Sequence, residues 1–405
     1  MFVERSPFER LRVLLGSLPP GRDPIDLSIG SPAHAPPAFV AEVIQRNAHL
    51  FGPYPPIAGT PNLRRAMADW LDRRYRLGGL LRERGDVLPL SGSREGLVLA
   101  AVTARDLAGK PRPTLLFANP FYAAYPAAAH AIGATAVPLA AADGILPDFG
   151  SVAEAALDAA VALYVASPSN PEGRIASAAD WHALFDRAER HGFLLFADEC
   201  YSEIWRAAAG PPLGALEAAK GRPEALDRLL VFNSLSKRSN LAGLRAGLVA
   251  GGRRPVEAFR EYRNQAGPQL ATPLQEAAAA AWDDEAHVVE NRRLYDAKFA
   301  DAEGILGVAP PPGGFFLWLP ADAFDGDDEA AAVALWRDAG VRALPGSYLA
   351  LTPEEDKNPG RGFVRLALVA DATVTREALG RVAGVMQRGR TRERDQFESV
   401  GGSPR

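Results

Sequence analysis

A lysine stands among hydroxyls in the segment Ser234-Leu235-Ser236-Lys237-Arg238-Ser239-Asn240, directly after the apolar run 229–232, and Arg245 follows eight residues beyond it. An amine so placed can condense with an aldehyde. If that aldehyde also carried a phosphate, the phosphate would need fixed donors. Arginine offers a planar fork that matches phosphate oxygens, and Arg245 fits that need. So do the hydroxyl of Ser234 and the helix opening at Ser93-Arg94 in "LSGSREGL", because a helix start preceded by glycine presents free backbone N–H groups to an anion. Asp198 ends the apolar run of "FLLFADECY", where a carboxylate is costly unless paired, and a protonated pyridine nitrogen would be such a partner. Tyr201 in the same segment and Asn170 in "SPSNPEG" can hydrogen-bond a phenolic oxygen on such a ring, and Tyr122 in "NPFYAAY" offers a face for stacking.

These residues sit where the elements of an α/β protein would place a site. "TLLFA" (114–118), "VALYVA" (161–166), "FLLFA" (193–197) and "LLVF" (229–232) are short continuous apolar runs, each followed by a polar cluster and then a helical pattern. Such runs predict a mainly parallel sheet covered by helices on both faces, with ligands bound outside the carboxyl ends of the strands. Near residue 280 the pattern changes to a long charged helix, the turn "PPPGG", a strand at 315–319, a helix at 328–339, a strand at 363–368 and a last helix at 373–387. The expected organisation is an N-terminal arm and part of a small α+β domain over 1–46, a large α/β domain over 47–284, the rest of the small domain over 285–388, and a solvated tail over 389–405.

Composition narrows the function classes. The 405 residues are 47% hydrophobic and carry a formal net charge of −4, so no basic field invites nucleic acid. The single cysteine, Cys200, excludes an intrachain disulfide framework and a multi-cysteine metal site. Charges run through the N-terminal segment, and no apolar run approaches the roughly 20 residues needed to cross a bilayer. A cytoplasmic protein with no membrane partner and no resident metal is expected. None of the six histidines is spaced as a ligand with another histidine or cysteine.

The ordered set resembles the fold-type-I pyridoxal-phosphate aminotransferases. It is carried by "SPSNPEG" (Asn170), "DECY" (Asp198, Tyr201) and "SLSKRSNLAGLRAG" (Ser234, Lys237, Arg245), and it runs from about residue 25 to residue 385. The resemblance implies a seven-stranded-type, mainly parallel sheet in a large domain, a smaller α+β domain, and pyridoxal 5'-phosphate between them, attached to Lys237 as catalytic residue. Ser93, Arg94, Tyr122, Asn170, Asp198, Tyr201, Ser234 and Arg245 would bind the cofactor. Gly30 in "LSIGSP", Asn170 and Arg365 in "FVRL" match the positions that meet the substrate, Arg365 gripping its carboxylate. Tyr54, in "YPPIAGTP", matches a tyrosine that reaches the neighbouring subunit's phosphate, which implies a homodimer.

Finer pieces, including "HGFLLFADECYSEIW" and "AAWDDEAHVVENRRLYDAKF", resemble the bacterial N-succinyldiaminopimelate branch, which implies lysine biosynthesis with glutamate and 2-oxoglutarate as the other amino-acid and 2-oxo-acid pair. Broader specificity for aspartate, alanine or aromatic amino acids, and a lyase using the same cofactor residues, remain open alternatives. Arg94, Arg174 and Arg238, in loops beside the cofactor motifs, are candidates for the distal carboxylates of a succinylated substrate. Against these stand plainer roles: packing for Tyr122 and Tyr201, helix capping for Asp198, a structural ion pair for Arg365, and a loop position for His34.

Overall fold

The computed structural model describes residues 6–81, 86–141, 144–352 and 357–400. It divides into two compact units, a larger one of residues 34–293 with 312–314, and a smaller one of residues 1–33, 294–311 and 315–405.

The larger unit is built on a seven-stranded sheet. Its strands are β1 (Val87–Leu90), β2 (Thr114–Asn119), β3 (Thr135–Ala140), β4 (Ala160–Ala166), β5 (Leu194–Asp198), β6 (Leu229–Ser234) and β7 (Gly247–Gly251). They lie in the order β1-β7-β6-β5-β4-β2-β3. The pairs from β6 through β5, β4 and β2 to β3 are parallel, and β7 runs antiparallel to both β1 and β6. The four apolar runs read from the sequence are β2, β4, β5 and β6, and β4, β5 and β6 hold the centre, where a strand buried on both faces reads as a continuous apolar run. Three strands escaped that reading. β1 and β3 each contain a proline (Pro89 and Pro138), β7 is Gly-Leu-Val-Ala-Gly, and both residue types weaken a strand signal.

Helices cover the sheet. Those that matter for the site are α1 (Phe39–Arg46), α2 (Pro61–Tyr75), α3 (Ser93–Ala108), α4 (Ala178–His191), the one-turn α5 (Leu235–Arg238), α6 (Thr272–Asp283) and α7 (Ala286–Leu306). Local chemistry sets their ends. Thr60 caps α2 by accepting from Leu63 N, with Pro61 at the first position, and Ser177 and Asp180 form a reciprocal capping box on α4, which Gly192 ends at φ +69°. The core of this unit joins Trp70 of α2, Trp181 of α4 and Trp282 of α6, all at most 1% exposed, to the apolar residues of the central strands. Trp70 and Trp282 meet at 4.5 Å between ring centroids.

The division at 33/34 differs from the expected 46/47 because α1 packs its Val40 into the same core as Trp70 and Trp282. The later division falls inside α7, beyond the change of pattern near residue 284.

In the smaller unit, β8 (Phe316–Pro320), β9 (Leu344–Pro345) and β10 (Phe363–Ala367) form an antiparallel sheet in the order β9-β10-β8, with Ile25–Asp26 pairing Val341–Arg342 in parallel. Its core draws Leu27, Phe299, Leu335, Leu366 and Val382 together, so the two chain ends share one small domain. α8 (Asp328–Ala339) lies where the sequence put it. α9 runs from Ala372 to Val400, well past the expected end at 387 and into the segment expected to be a solvated tail. Arginine, glutamate and glutamine dominate "RGRTRERDQFES", and their good helix propensity suits the continued helix. Among the described residues, no helix is long and apolar enough to cross a membrane.

Candidate active site

The parallel register aligns Ala166, Asp198 and Phe232 at the carboxyl edge of the sheet. The polar segments that follow β4, β5 and β6 therefore emerge side by side. Ser234 ends β6 and caps α5, its Oγ accepting from Ser236 N at 3.1 Å, so Lys237 rides on a single turn fixed to the strand end. The antiparallel return of β7 places Gly247 opposite both Ser234 and Leu90, which brings the start of α3 alongside.

Two glycines show how tightly this corner closes. A Cβ on Gly247 would lie 3.3 Å from Ser93 N and 3.6 Å from Ser234 Cα. A Cβ on Gly92 would lie 2.8 Å from Cζ of Arg245 and nearer still to its Nη2. Gly92 holds φ +88° and ψ 149°, a conformation essentially restricted to glycine, and no side chain caps the 16-residue helix α3 that follows. The α3 start, the Ser234 end of β6 and the Arg245 guanidinium thus lie around one corner, and their donors are of the kind a phosphate requires. Arg245 itself is held in the left-handed region (φ +55°), with Nη1 donating to Ala242 O at 2.8 Å.

Asp198 is 7% exposed. Its Oδ2 accepts from Tyr125 OH at 2.9 Å and its Oδ1 from Cys200 N at 3.2 Å. Burial raises its pKa, and the Cys200 and Tyr125 hydrogen bonds and the nearby Lys237 charge oppose that rise. Cys200 is buried beside it, and burial pushes its thiol pKa up. Tyr122 is half-buried, meets Tyr125 edge-on at 5.8 Å, and accepts from Arg94 Nε at 2.6 Å. Asn170 and Tyr201 lie half-buried in the loops after β4 and β5. Residues 312–314 pin those loops, Gly313 N donating to Gly173 O at 3.0 Å and Gly314 N to Ile204 O at 2.7 Å.

In the smaller unit, Arg365 is 4% exposed, donates from Nη2 to Ser28 O at 2.8 Å, and lies 4.3 Å above the Phe316 ring. A Cβ on Gly30 would fall 2.5 Å from that same ring, so Gly30 and Arg365 share one neighbour. Tyr54 is 96% exposed.

The structure changes the reading of Arg238. It is 2% exposed and engaged wholly within the larger unit, so it is not a contact for distal substrate carboxylates. Arg174 is exposed, donating to Gly144 O, and Arg94 is exposed beside Tyr122. His34 pairs with Asn291. Away from the site, Glu154, Asp158 and His191 bring one ligand atom each within 4.8 Å of the others, a grouping that sequence spacing does not reveal; Nδ1 of His191 is engaged with Asp158 at 2.9 Å.

Three residues of the site were not picked out from the sequence. Tyr125 was visible only as the second tyrosine of "NPFYAAY", Gly92 only as a glycine before a helix, and Glu199 only as the neighbour of Asp198. Glu199 is fully buried, accepts from Tyr75 OH and from Ala215 N at 2.6 Å, and burial lifts its pKa to about 7. Asn233 donates to Tyr75 OH, Glu199 O and Ser202 Oγ, tying β6 to the turn after Asp198.

The donor set fits a phosphorylated pyridine aldehyde: an anion cradle, a buried carboxylate and a lysine whose charge reaches that carboxylate. The model of aminotransferase class I and II matches residues 22–383, and the chain belongs to that family, an enzyme family dependent on pyridoxal phosphate. A solved aminotransferase from Neisseria meningitidis Z2491 superposes with a TM-score of 0.88 at 37% identity, over 95% of this chain and 98% of that one. The 4-dedimethylamino-4-oxo-anhydrotetracycline transaminase OxyQ of Streptomyces rimosus is 31% identical over 85% of this chain and 89% of its own length. The LL-diaminopimelate aminotransferase of Desulforudis audaxviator is 30% identical over 91% and 92%.

Proposed function

We propose that this enzyme moves the amino group of N-succinyl-diaminopimelate to 2-oxoglutarate, in the synthesis of diaminopimelate and lysine. The carrying observation is Asp198, buried at the end of β5, with Lys237 on the one-turn α5 that directly follows the neighbouring β6. Bound pyridoxal phosphate supplies an electron sink for the charge that develops at the substrate Cα.

The chain does the rest. Arg245, Ser234, Ser93 and the start of α3 bind the phosphate. Tyr122, with Arg94 on its hydroxyl, would cover the ring face, and Asn170 and Tyr201 would hydrogen-bond its phenolic oxygen. Asp198, oriented by Tyr125 OH and Cys200 N, would pair with the pyridine nitrogen and hold its proton. Lys237 would hold the cofactor's aldehyde through Nζ and, once the substrate is bound, would serve as the base and acid that moves a proton to and from the substrate Cα. Arg365 fixes the substrate carboxylate by a two-point fork beside Gly30. In a homodimer Tyr54, solvent-exposed in the single chain, would complete the partner's phosphate site. The reading places the enzyme in the cytoplasm.

The sequence pieces of the N-succinyldiaminopimelate branch support the succinylated donor, and the diaminopimelate relative supports the carbon skeleton. That relative also favours a second reading, in which free LL-diaminopimelate is the donor. The two differ at the far end of the chain, where the succinylated molecule carries two carboxylates and no ammonium. Arg94 and Arg174 remain the cations available to read them, and losing a desolvated charge contact costs about 2–5 kcal/mol. Steady-state efficiencies with N-succinyl-diaminopimelate, LL-diaminopimelate, aspartate, alanine and phenylalanine decide. The succinylated donor should lead by at least about tenfold. A lead for free LL-diaminopimelate selects the second reading, and a lead for aspartate or phenylalanine removes both.

A further inference from the structure

Arg238 is the neighbour of Lys237 and is nevertheless one of the largest fully buried side chains in the protein. Its Nη1 donates to Ala281 O at 2.6 Å and to Ser239 Oγ at 3.2 Å, and its Nη2 donates to Asp284 O at 3.2 Å and to Glu285 Oε1 at 2.6 Å. Ala281 lies in the last turn of α6, whose final carbonyls have no partner inside the helix. The guanidinium therefore fastens the lysine's turn to the end of α6, with Cζ 5.3 Å from the Trp282 ring and 5.5 Å from that of Trp70. Cations gain from such ring faces when desolvated.

The same α6–α7 corner holds the rest of the turn. His287 Nε2 pairs with Ser239 Oγ at 2.8 Å, while its Nδ1 pairs with Asp284. Asn291 Nδ2 lies 3.5 Å from each of the Lys237 and Arg238 carbonyl oxygens. Its Oδ1 pairs with His34 Nδ1 at 2.6 Å and with Asn240 Nδ2 at 3.3 Å. Each residue from 237 to 240 is thus tied to this corner by backbone or side chain. A lysine amine swings on a flexible four-carbon stem, so its reach to a given atom depends on how firmly its backbone is held.

We propose that Arg238 is the positioning residue for Lys237, setting the place of its amine through the turn that carries both, with Asn291 as its support. This rests on the assignment of Lys237 above. Misplacing a reacting group by about 1 Å can cost on the order of 100-fold in rate.

The test compares R238M, R238K and N291L with wild type and K237A. Three quantities are read: kcat and KM, thermal unfolding, and the pH dependence of reductive methylation of Lys237 in cofactor-free protein, followed by peptide mass. R238M should fold, lose about 100-fold in kcat with KM within about threefold, and shift the methylation profile. R238K should recover part of kcat, because an ammonium replaces some of the donors but not the fork. N291L should move kcat and the profile in the same direction by a smaller factor. The proposal is overturned if R238M unfolds at a lower temperature yet keeps wild-type kcat and methylation profile, for Arg238 would then serve stability alone. If R238M does not fold, wild-type kcat and profile in N291L overturn it equally. Turnover retained in K237A is a separate outcome, which removes the assignment of Lys237 itself.

Discussion

Replacing Gly92 by alanine tests the phosphate cradle through a single methyl group. At φ +88° and ψ 149° the alanine occupies a region all but closed to residues with a side chain, at a cost of about 1–3 kcal/mol in stability. Its Cβ would sit 2.8 Å from Cζ of Arg245, whereas carbon atoms in contact prefer about 3.5–4.0 Å, so the guanidinium must retreat by about 1 Å. A hydrogen bond to a charged group contributes about 1.5–3 kcal/mol, and losing one weakens cofactor binding by about 10- to 150-fold. The assay is titration of the cofactor-free protein with pyridoxal phosphate and with pyridoxal, in buffer without phosphate. G92A should lose affinity for pyridoxal phosphate and little for pyridoxal, because the lesion lies in the anion cradle. Folded G92A that binds pyridoxal phosphate like wild type, or loses both ligands equally, would refute the reasoning.

Two other substitutions probe the groups around Asp198. Y125F removes the donor to Asp198 Oδ2 in a buried setting; since that bond holds the Asp198 pKa down, the acid limb of kcat should move to higher pH and kcat should fall by about 5- to 30-fold, and an unchanged pH–rate profile would detach Tyr125 from the site. Glu199 bears on stability: its pKa rises from 4.5 to about 7 on folding, so the folded chain binds the extra proton, and the stability present below pH 4.5 is lost as pH rises through about 7. That interval corresponds to about 3 kcal/mol, and urea unfolding across pH 4.5–7 should show a decline in wild type that E199Q flattens.

The sheet's centre and most of its ligand edge could be read from the chain, because a strand buried on both faces leaves a continuous apolar run and the segment after it must carry the polar chemistry. Asp198, Ser234 and Lys237 were singled out by that logic, and Asp198 and Ser234 do end β5 and β6, with Lys237 on the turn that follows. β1, β3 and β7 were not, since proline and glycine erase the run even where neighbouring strands supply the pairing. Tyr125, Gly92 and Glu199 take their meaning from partners 73, 153 and 124 residues away, which no local pattern encodes. Arg238 shows the opposite error. A charge in a polar segment after a strand reads as solvent-facing, and its burial is explained by the Glu285 carboxylate, the carbonyls at the end of α6 and the two tryptophan faces, none of which the local sequence shows. The helix continues beyond residue 388 although the segment there has no apolar periodicity, because arginine, glutamate and glutamine are good helix formers.

The central assignment is Lys237, and the sequence contains four other lysines, Lys110, Lys220, Lys298 and Lys357. Lys298 is the strongest rival, because burial pulls its pKa down to about 8 and leaves more of it as free amine near neutral pH. Borohydride treatment of the cofactor-loaded enzyme, followed by digestion and peptide mass analysis, separates them. The account predicts one pyridoxyl group per chain, on Lys237, with amino transfer abolished in step with its incorporation. A pyridoxyl group on Lys298 or any other lysine, or full activity after Lys237 has been modified, would contradict it.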